Sequence, residues 1–573
     1  MHTLGIICHG QHEAAAVLLR DGEVIAAAEE ERFSRQKFDS NFPRQAIRFC
    51  LEQAGITSRE IGAVGFGFDP RRKLAAKAAH VLRFWPDSLH LVRSRATLLG
   101  RMNGIVREVR SELDYSGPVL RLNHHLCHAA SAFYASPFER ASVLTIDGVG
   151  DWESCWWGLG DGTRLTQLGT LDWPLSLGHV YSAFTDYLGF QPFSDEYKVM
   201  GLAPYGEPRH LDQMARLFYP TPTGMGIDYR YFRYPVGGSP RYSPLLVKLF
   251  GPALEPGADV SQHYRDIAAS LQAQTERVVF HLVEQLVRQT GDRKLCLAGG
   301  VAMNSVANGK LVQGGWVDQL YVPPCASDAG VALGAAYLAH LQMCGTMSRR
   351  SLDTGLLGPE YTRVQQEAAL HRAGLVYELE SDMTQTVARL LAEGNVVGWF
   401  QGRMEFGQRA LGCRSILADP RRAEMKDVVN AKIKFREMFR PFAPSVIEER
   451  AAEFFELPAG AQADFMTQVY PVRAGAGIPA VTHVDGSGRI QTVRRSVNPR
   501  YWQLIHAFGE LTGIPVVLNT SFNVKGQPIV NTPTEAIETF LATGMDYLAM
   551  GDFLIARSPQ QRQQQAAQEQ KAQ

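Results

Sequence analysis

Short apolar runs separated by glycine-marked turns open the chain. Leu4 to Cys8 is apolar, His9-Gly10-Gln11-His12 turns, Ala14 to Leu19 is apolar again, Asp21-Gly22 is a hairpin signal, and Glu23 to Ala28 returns. Residues 141–172 repeat the plan: Ser142 to Ile146 is apolar, Asp147-Gly148-Val149-Gly150 turns, Ser154 to Leu159 returns, and Asp161-Gly162 marks the next hairpin. Two copies of one unit about 140 residues apart predict a duplicated two-lobed α/β architecture whose glycine-rich turns face a common cleft; two unrelated hairpins are the other reading.

Between the copies, Asn123 to Phe133 holds three histidines in five positions followed by small residues, which reads as a helix. Residues four apart share a helix face, so His124 and His128 aim at one point while His125 lies about 100° away. That spacing suits either a metal site or a pair of buried, hydrogen-bonded histidines. Further on, the strand Lys294 to Ala298 ends in Gly299-Gly300 and Asn304 before a helix, where a ligand can approach backbone N–H groups closely. Asp328 stands where another strand gives way to an alanine-rich helix, a place for a ligand or an N-cap.

Composition narrows the class. The 573 residues exceed one ordinary core. Lys+Arg and Asp+Glu balance at 58 each, which argues against a protein built mainly to grip nucleic acid. The eight cysteines form no C-x-x-C pair, so neither a zinc ribbon nor a disulfide framework is expected. Met1 to Gly5 has no basic segment leading into an apolar core, and no run approaches the roughly 18 apolar residues of a membrane span. A cytoplasmic protein is therefore expected. Polar, glycine- and proline-marked residues 346–362 read as a linker between parts spanning 1–345 and 363–559, and the glutamine-rich tail 560–573 reads as disordered.

In the second part, cations sit in turns beside glycine, proline or aromatic residues: Arg403 and Arg409 in Gly402 to Gly412, then Lys432, Lys434, Arg436, Arg440 and Arg489, with Asn519 in Leu518 to Pro528. Guanidinium forks suit phosphate and carboxylate oxygens, so the set predicts an oxyanion pocket. Ordinary surface salt bridges are the alternative for any one of them.

These blocks together resemble the ATP-dependent O-carbamoyltransferases that decorate antibiotics and nodulation factors. The likeness runs from His12 to about Ala556 and includes Glu29 to Lys37, His124 to Phe133, Lys198 to Gly206, Gly299 to Asn304, Glu405 to Pro420, Phe439 to Pro444 and Asn519 to Pro528. The resemblance implies an actin/hexokinase-like first part, similar to tRNA threonylcarbamoyl-transferases, and a YrdC-like α/β second part. It implies that the second part makes carbamoyl-adenylate from carbamoyl phosphate and ATP with Mg²⁺, held by Arg409, Lys434, Arg440, Arg489 and Asn519. The first part then carbamoylates a hydroxyl of a small-molecule acceptor, as in antibiotic biosynthesis. His124, His128, Asp147 and Asp328 match the family's metal ligands. Iron(II) is the family's ion, and the donor set equally accepts manganese or zinc. Lys37, Gly299, Gly300 and Asn304 match contacts to the carbamoyl-adenylate, and His12 matches the base that deprotonates the acceptor. No nucleic acid or membrane partner is implied, and a homodimer is a candidate assembly. A zinc protease is set aside because the residue after the first histidine is His125, not Glu. A tRNA threonylcarbamoyl-type transferase and an actin-like small-molecule kinase stay as alternatives.

Overall fold

A computed structural model describes residues 1–10, 13–458, 460–461 and 463–557; His12 and the tail 560–573 lie outside the described residues. The chain divides into two compact units, one of Met1–Glu30 with Phe38–Leu352, the other of Glu31–Lys37 with the chain from Asp353 onward. These limits differ from the expected ones in two places. Residues 31–37 fold into the second unit, because Arg32 donates to the Gly407 carbonyl at 2.8 Å and Arg35 donates to those of Ile529 and Pro528 at 2.7 and 3.0 Å. The expected linker is parted at Leu352: Leu352 N–H bonds to Ala135 O, whereas Gly358 N–H bonds to Met404 O.

The first unit holds the duplication. One sheet comprises β1 (His2–Ile7), β2 (Ala15–Arg20), β3 (Glu23–Glu29), β4 (Ile61–Phe66) and β5 (Val119–Arg121) in the order β3-β2-β1-β4-β5. The other comprises β6 (Arg140–Gly150), β7 (Glu153–Asp161), β8 (Arg164–Asp172), β11 (Lys294–Ala298) and β12 (Gln319–Tyr321); a separate hairpin of β9 (Phe218–Thr221) and β10 (Gly224–Ile227) precedes β11. Its order, β12-β11-β6-β7-β8, is the same plan: an antiparallel meander of three strands with two parallel strands added beside the first. The Asp21-Gly22 hairpin has φ of 52° and 87°, the twist a two-residue turn needs. Two such sheets in one unit are the duplicated α/β architecture expected from the repeat and match the actin/hexokinase-like plan that the resemblance implies.

Two helices exchange between the sheets. His124–Phe133 follows β5 yet packs on β6, β7 and β11, while Ala329–Cys344 follows β12 yet packs on β1 and β4. Both are buried nearly all round, and small residues fill most of their middle turns. They cross so closely that a Cβ on Gly334 would lie 1.7 Å from Cys127 O, and one on Gly5 would lie 2.0 Å from Ala332 O. Backbone atoms there have nowhere to go. Gly334→Ala is therefore expected to destabilise the unit by at least about 1–3 kcal/mol, the usual cost of overpacking, read as a lowered denaturant midpoint; an unchanged midpoint would show that the crossing can open.

The second unit is built on one mixed sheet of eight strands: β13 (Glu378–Leu379), β14 (Val397–Phe400), β15 (Arg414–Ala418), β16 (Ala443–Ile447), β19 (Gln491–Val493), β20 (Val516–Ser521), β21 (Tyr547–Met550) and β22 (Phe553–Ala556), with a small hairpin of β17 (Val469–Pro471) and β18 (Ser487–Arg489) alongside. Alternation decides its two faces. Ile416, Leu518 and Leu548 point into one core, and Leu417, Val517 and Ala549 into the other, under helices Met383–Ala392 and Pro499–Thr512. Both faces are covered, which makes the second part an α/β layer.

Candidate functional site

Helix His124–Phe133 is set by its N-cap: Asn123 Oδ1 accepts from Leu126 N–H at 2.6 Å. That fixes the first turn, and the 3.6-residue period puts the rings of His124 and His128 on one face, with centroids 4.7 Å apart. His125 turns away, as its angular offset requires. Its two nitrogens are taken up by Thr145 Oγ1 at 2.7 Å and Glu153 O at 3.0 Å. Burial, reinforced by the neighbouring imidazoles, depresses its pKa to about 3, so it is a neutral core histidine.

The facing pair meets two carboxylates. Asp147 leaves the end of β6 where the strand's register breaks, and Asp328 begins the helix after β12. His124 Nε2 lies 3.5 Å from both Asp147 Oδ2 and Asp328 Oδ1; His128 Nε2 lies 3.8 and 3.6 Å from the same atoms. One donor atom from each of the four residues falls within 4.8 Å of the others. The duplicated fold brings them together from the helix after β5, from β6 and from the start of the helix after β12.

Outer contacts aim these atoms. Gly67 O accepts from His124 Nδ1 at 3.2 Å, which leaves Nε2 as the lone-pair nitrogen. Gly300 N–H donates to Asp147 Oδ1 at 3.0 Å, turning Oδ2 inward. Gly299 must be glycine, with φ +91° and Ile146 O 2.3 Å from where its Cβ would stand. Asp151 accepts from His124 N–H at 3.0 Å, from Asp69 N–H at 2.7 Å and from the Asn123 amide at 3.2 Å. Burial lifts the Asp151 pKa to about 6 despite these donors. Asn304 caps helix Ser305–Gln313 and exchanges two hydrogen bonds of 3.0 Å with Gln272. Asp151 was legible only as a second aspartate in the glycine turn.

The donor set fits a divalent cation. His124 Nε2 and both nitrogens of His128 are buried and have no hydrogen-bond partner among the described residues. Their spacings from the carboxylate oxygens match the edge of about 3.4 Å expected when N and O ligands stand about 2.1 Å from a tetrahedral ion. Burial opposes charge on His124, but the side chains of Asp147 and Asp328 outweigh it and hold its pKa well above the ordinary value. Burial likewise opposes charge on Asp147, and the imidazoles hold its pKa well below the carboxylate range. A proton on His124 thus occupies the position an ion would take. Ion uptake near neutral pH is expected to expel that proton, so affinity falls as pH falls. Titration calorimetry in buffers of different ionisation heat reads this directly, and uptake without proton release would contradict it.

The second unit gathers the cations. Burial, then Arg436, Arg440 and Lys37, push the pKa of Lys434 well below its ordinary value; burial, then Arg409, Arg436 and Arg440, do the same to Arg489. Lys434 Nζ donates to Ser521 O, Asn523 O and Asn523 Oδ1 at 2.7–2.8 Å. Arg436 is steered by Asn430 Oδ1 at 2.7 Å and stacks on Phe442. The Arg409 loop is tied down by Glu405, whose Oε1 accepts from Leu411, Cys413 and Arg414 N–H. Asn519 spends its amide on Ala410 O, Ser445 Oγ and Gln491 Oε1, leaving its buried carbonyl oxygen without a partner among the described residues. Like charges crowded this tightly are relieved by a polyanion. Lys37, which the resemblance groups with Gly299, Gly300 and Asn304, lies in the second unit, where its charge acts on Lys434. Arg436, one of the cations the sequence places in turns, completes the group.

A two-sheet transfer fold carrying a four-residue metal-type cluster, followed by a cation-lined α/β unit, defines a two-part group-transfer enzyme. The carbamoyltransferase N-terminus model matches residues 2–337 and the carbamoyltransferase C-terminus model matches residues 388–557. The chain belongs to the carbamoyltransferase family and is a transferase. It is 42% identical to nodulation protein NolNO of Sinorhizobium fredii over 95% of this chain and 79% of that protein, and 44% identical to nodulation protein NolO of Bradyrhizobium diazoefficiens over 76% and 79%. An uncharacterized Synechocystis protein, sll1178, is 41% identical over 99% of both chains.

Proposed function

We propose that this chain is an ATP-dependent O-carbamoyltransferase acting on a hydroxyl-bearing small molecule in the cytoplasm. Among the described residues no helix is long and apolar enough to cross a membrane. The observation that carries the reading is the convergence of His124, His128, Asp147 and Asp328 in a carbamoyltransferase-family fold.

In the second unit, Arg409, Lys434, Arg440 and Arg489 neutralise the phosphate oxygens of carbamoyl phosphate and Mg²⁺-bound ATP, and the Asn519 carbonyl oxygen accepts a hydrogen bond from the carbamoyl amide. Water releases phosphate from carbamoyl phosphate, an oxygen of the resulting carbamate displaces pyrophosphate from the α-phosphorus of ATP, and carbamoyl-adenylate remains. In the first unit the two imidazoles and two carboxylates would hold a divalent ion, iron(II) by the family's habit, which when bound would supply Lewis-acid charge at the acyl centre. Gly300 and Gly67 keep the ligand atoms aimed, Gly299 and Asn304 shape the backbone beside them, and His12 takes the proton of the acceptor hydroxyl as it attacks the acyl carbon and AMP leaves. Lys37 places positive charge against the anionic adenylate.

The test is incubation of the full chain with labelled carbamoyl phosphate, ATP and a panel of alcohols. A labelled carbamate ester with release of pyrophosphate is expected. A phosphorylated acceptor, or label transferred to tRNA instead, would overturn the reading.

A further inference from the structure

Asp328 begins helix Ala329–Cys344, yet its side chain makes no capping bond to that helix. The N–H of Ala329 is taken by Glu13, whose Oε2 accepts it at 3.1 Å and also accepts from Ser327 Oγ at 2.6 Å. Glu13 comes from the turn between β1 and β2, in the sheet that the helix packs on but does not follow, and is 6% exposed. Asp328 Oδ1 meanwhile lies 3.5 Å from His124 Nε2 and 3.6 Å from His128 Nε2.

We infer that Glu13 is a positioning residue for the metal centre: by bonding both chain neighbours of Asp328, the Ser327 hydroxyl and the Ala329 N–H, it fixes the turn that faces the Asp328 carboxylate toward the two imidazoles. Asp328 has no cap of its own to make, because the N–H groups that an N-cap side chain reaches, those of Gly330 and Val331, already bond to Ser327 O and Asp328 O at 2.9 Å. Remove Glu13, and the Ala329 N–H and the Ser327 hydroxyl lose their acceptor, so the turn shifts and carries the Asp328 oxygen from the histidines. The same device holds Asn123 and His124 from outside through Asp151, and it caps helix Arg44–Ala54 through Glu30, which accepts from Gln45 and Ala46 N–H at 3.0 and 2.9 Å. External carboxylates at helix starts are thus a habit of this unit, and at Asp328 the habit fixes a ligand.

The inference rests on the metal reading proposed above, so its test separates the two. The metal-free full chain is titrated with Co²⁺ alone, and the visible d–d spectrum of the bound ion reports its oxygen ligands. Activity is not the readout, because Glu13 adjoins His12. Wild type is expected to take up one ion, and His128→Ala to take up none; equal uptake by both would sink the metal reading and this inference together. Glu13→Ala is expected to weaken Co²⁺ about 10–100-fold, the usual effect of losing an outer partner, and to change the d–d spectrum as the Asp328 oxygen leaves. Wild-type affinity in Glu13→Ala, or weaker binding with an unchanged spectrum, would overturn the inference while leaving the metal reading intact if His128→Ala still loses the ion. Should Glu13→Ala fail to fold, Ser327→Ala, which removes only the second donor to Glu13, is expected to show the same spectral change with a smaller loss of affinity. An unaltered spectrum in that variant would count against the inference equally.

Discussion

His128→Ala is expected to yield protein without a bound divalent ion and without carbamoyl transfer, while carbamoyl phosphate-dependent release of pyrophosphate from ATP continues. The effect is large because His128 is fully buried and its Nε2 lies within 4 Å of both carboxylates. Alanine leaves two aspartates facing one imidazole. Loss of a direct ligand should exceed the 10–100-fold that an outer partner costs. Metal analysis of the purified variant and a pyrophosphate assay check the two halves separately. Full ion content together with retained transfer would sink the assignment, whereas loss of pyrophosphate release would show that the adenylate-forming step also depends on this centre.

Arg440→Ala is expected to do the reverse, abolishing most pyrophosphate release while the ion stays bound. Arg440 is one of the cations whose charge depresses both Lys434 and Arg489, so it stands among the groups that a phosphate would meet. Glu437 lies 3.6 Å from it. If it contacts charge that develops during phosphoryl displacement, its loss should cost about 100–1,000-fold in rate, the range seen for a single donor to a developing oxyanion. Kinetics with carbamoyl phosphate and with ATP measure this. A rate within a few-fold of wild type would remove Arg440 from the pocket, and a parallel loss of the ion would point to general misfolding.

Some of this was written locally in the chain. The repeat of apolar run, glycine turn and hairpin signalled the duplicated sheets, because alternation and turn chemistry are decided by neighbours along the backbone. The i,i+4 spacing of His124 and His128 put both rings on one face, and it also set His125 aside, as its two core hydrogen bonds now explain. The family's blocks supplied Asp147 and Asp328 as partners, but nothing local to either aspartate said that it faces a histidine. Asp328 in particular stood at a helix start, where capping and ligation were both open.

The tertiary fold decided between them. Only the packing of helix Ala329–Cys344 on the sheet of β1 and β2 brings Glu13 to the Ala329 N–H, while the Asp328 carboxylate faces the histidines. Only folding carries Lys37 into the unit of Lys434, and only folding crowds Arg436 and Arg409 against Arg489. The sequence by itself determined which elements form and which faces they bury, since propensity and periodicity act over a few residues. Which carboxylate caps a helix, and which cations share one pocket, depends on charges and N–H groups from distant segments meeting at hydrogen-bond range, and that is settled where the chain packs.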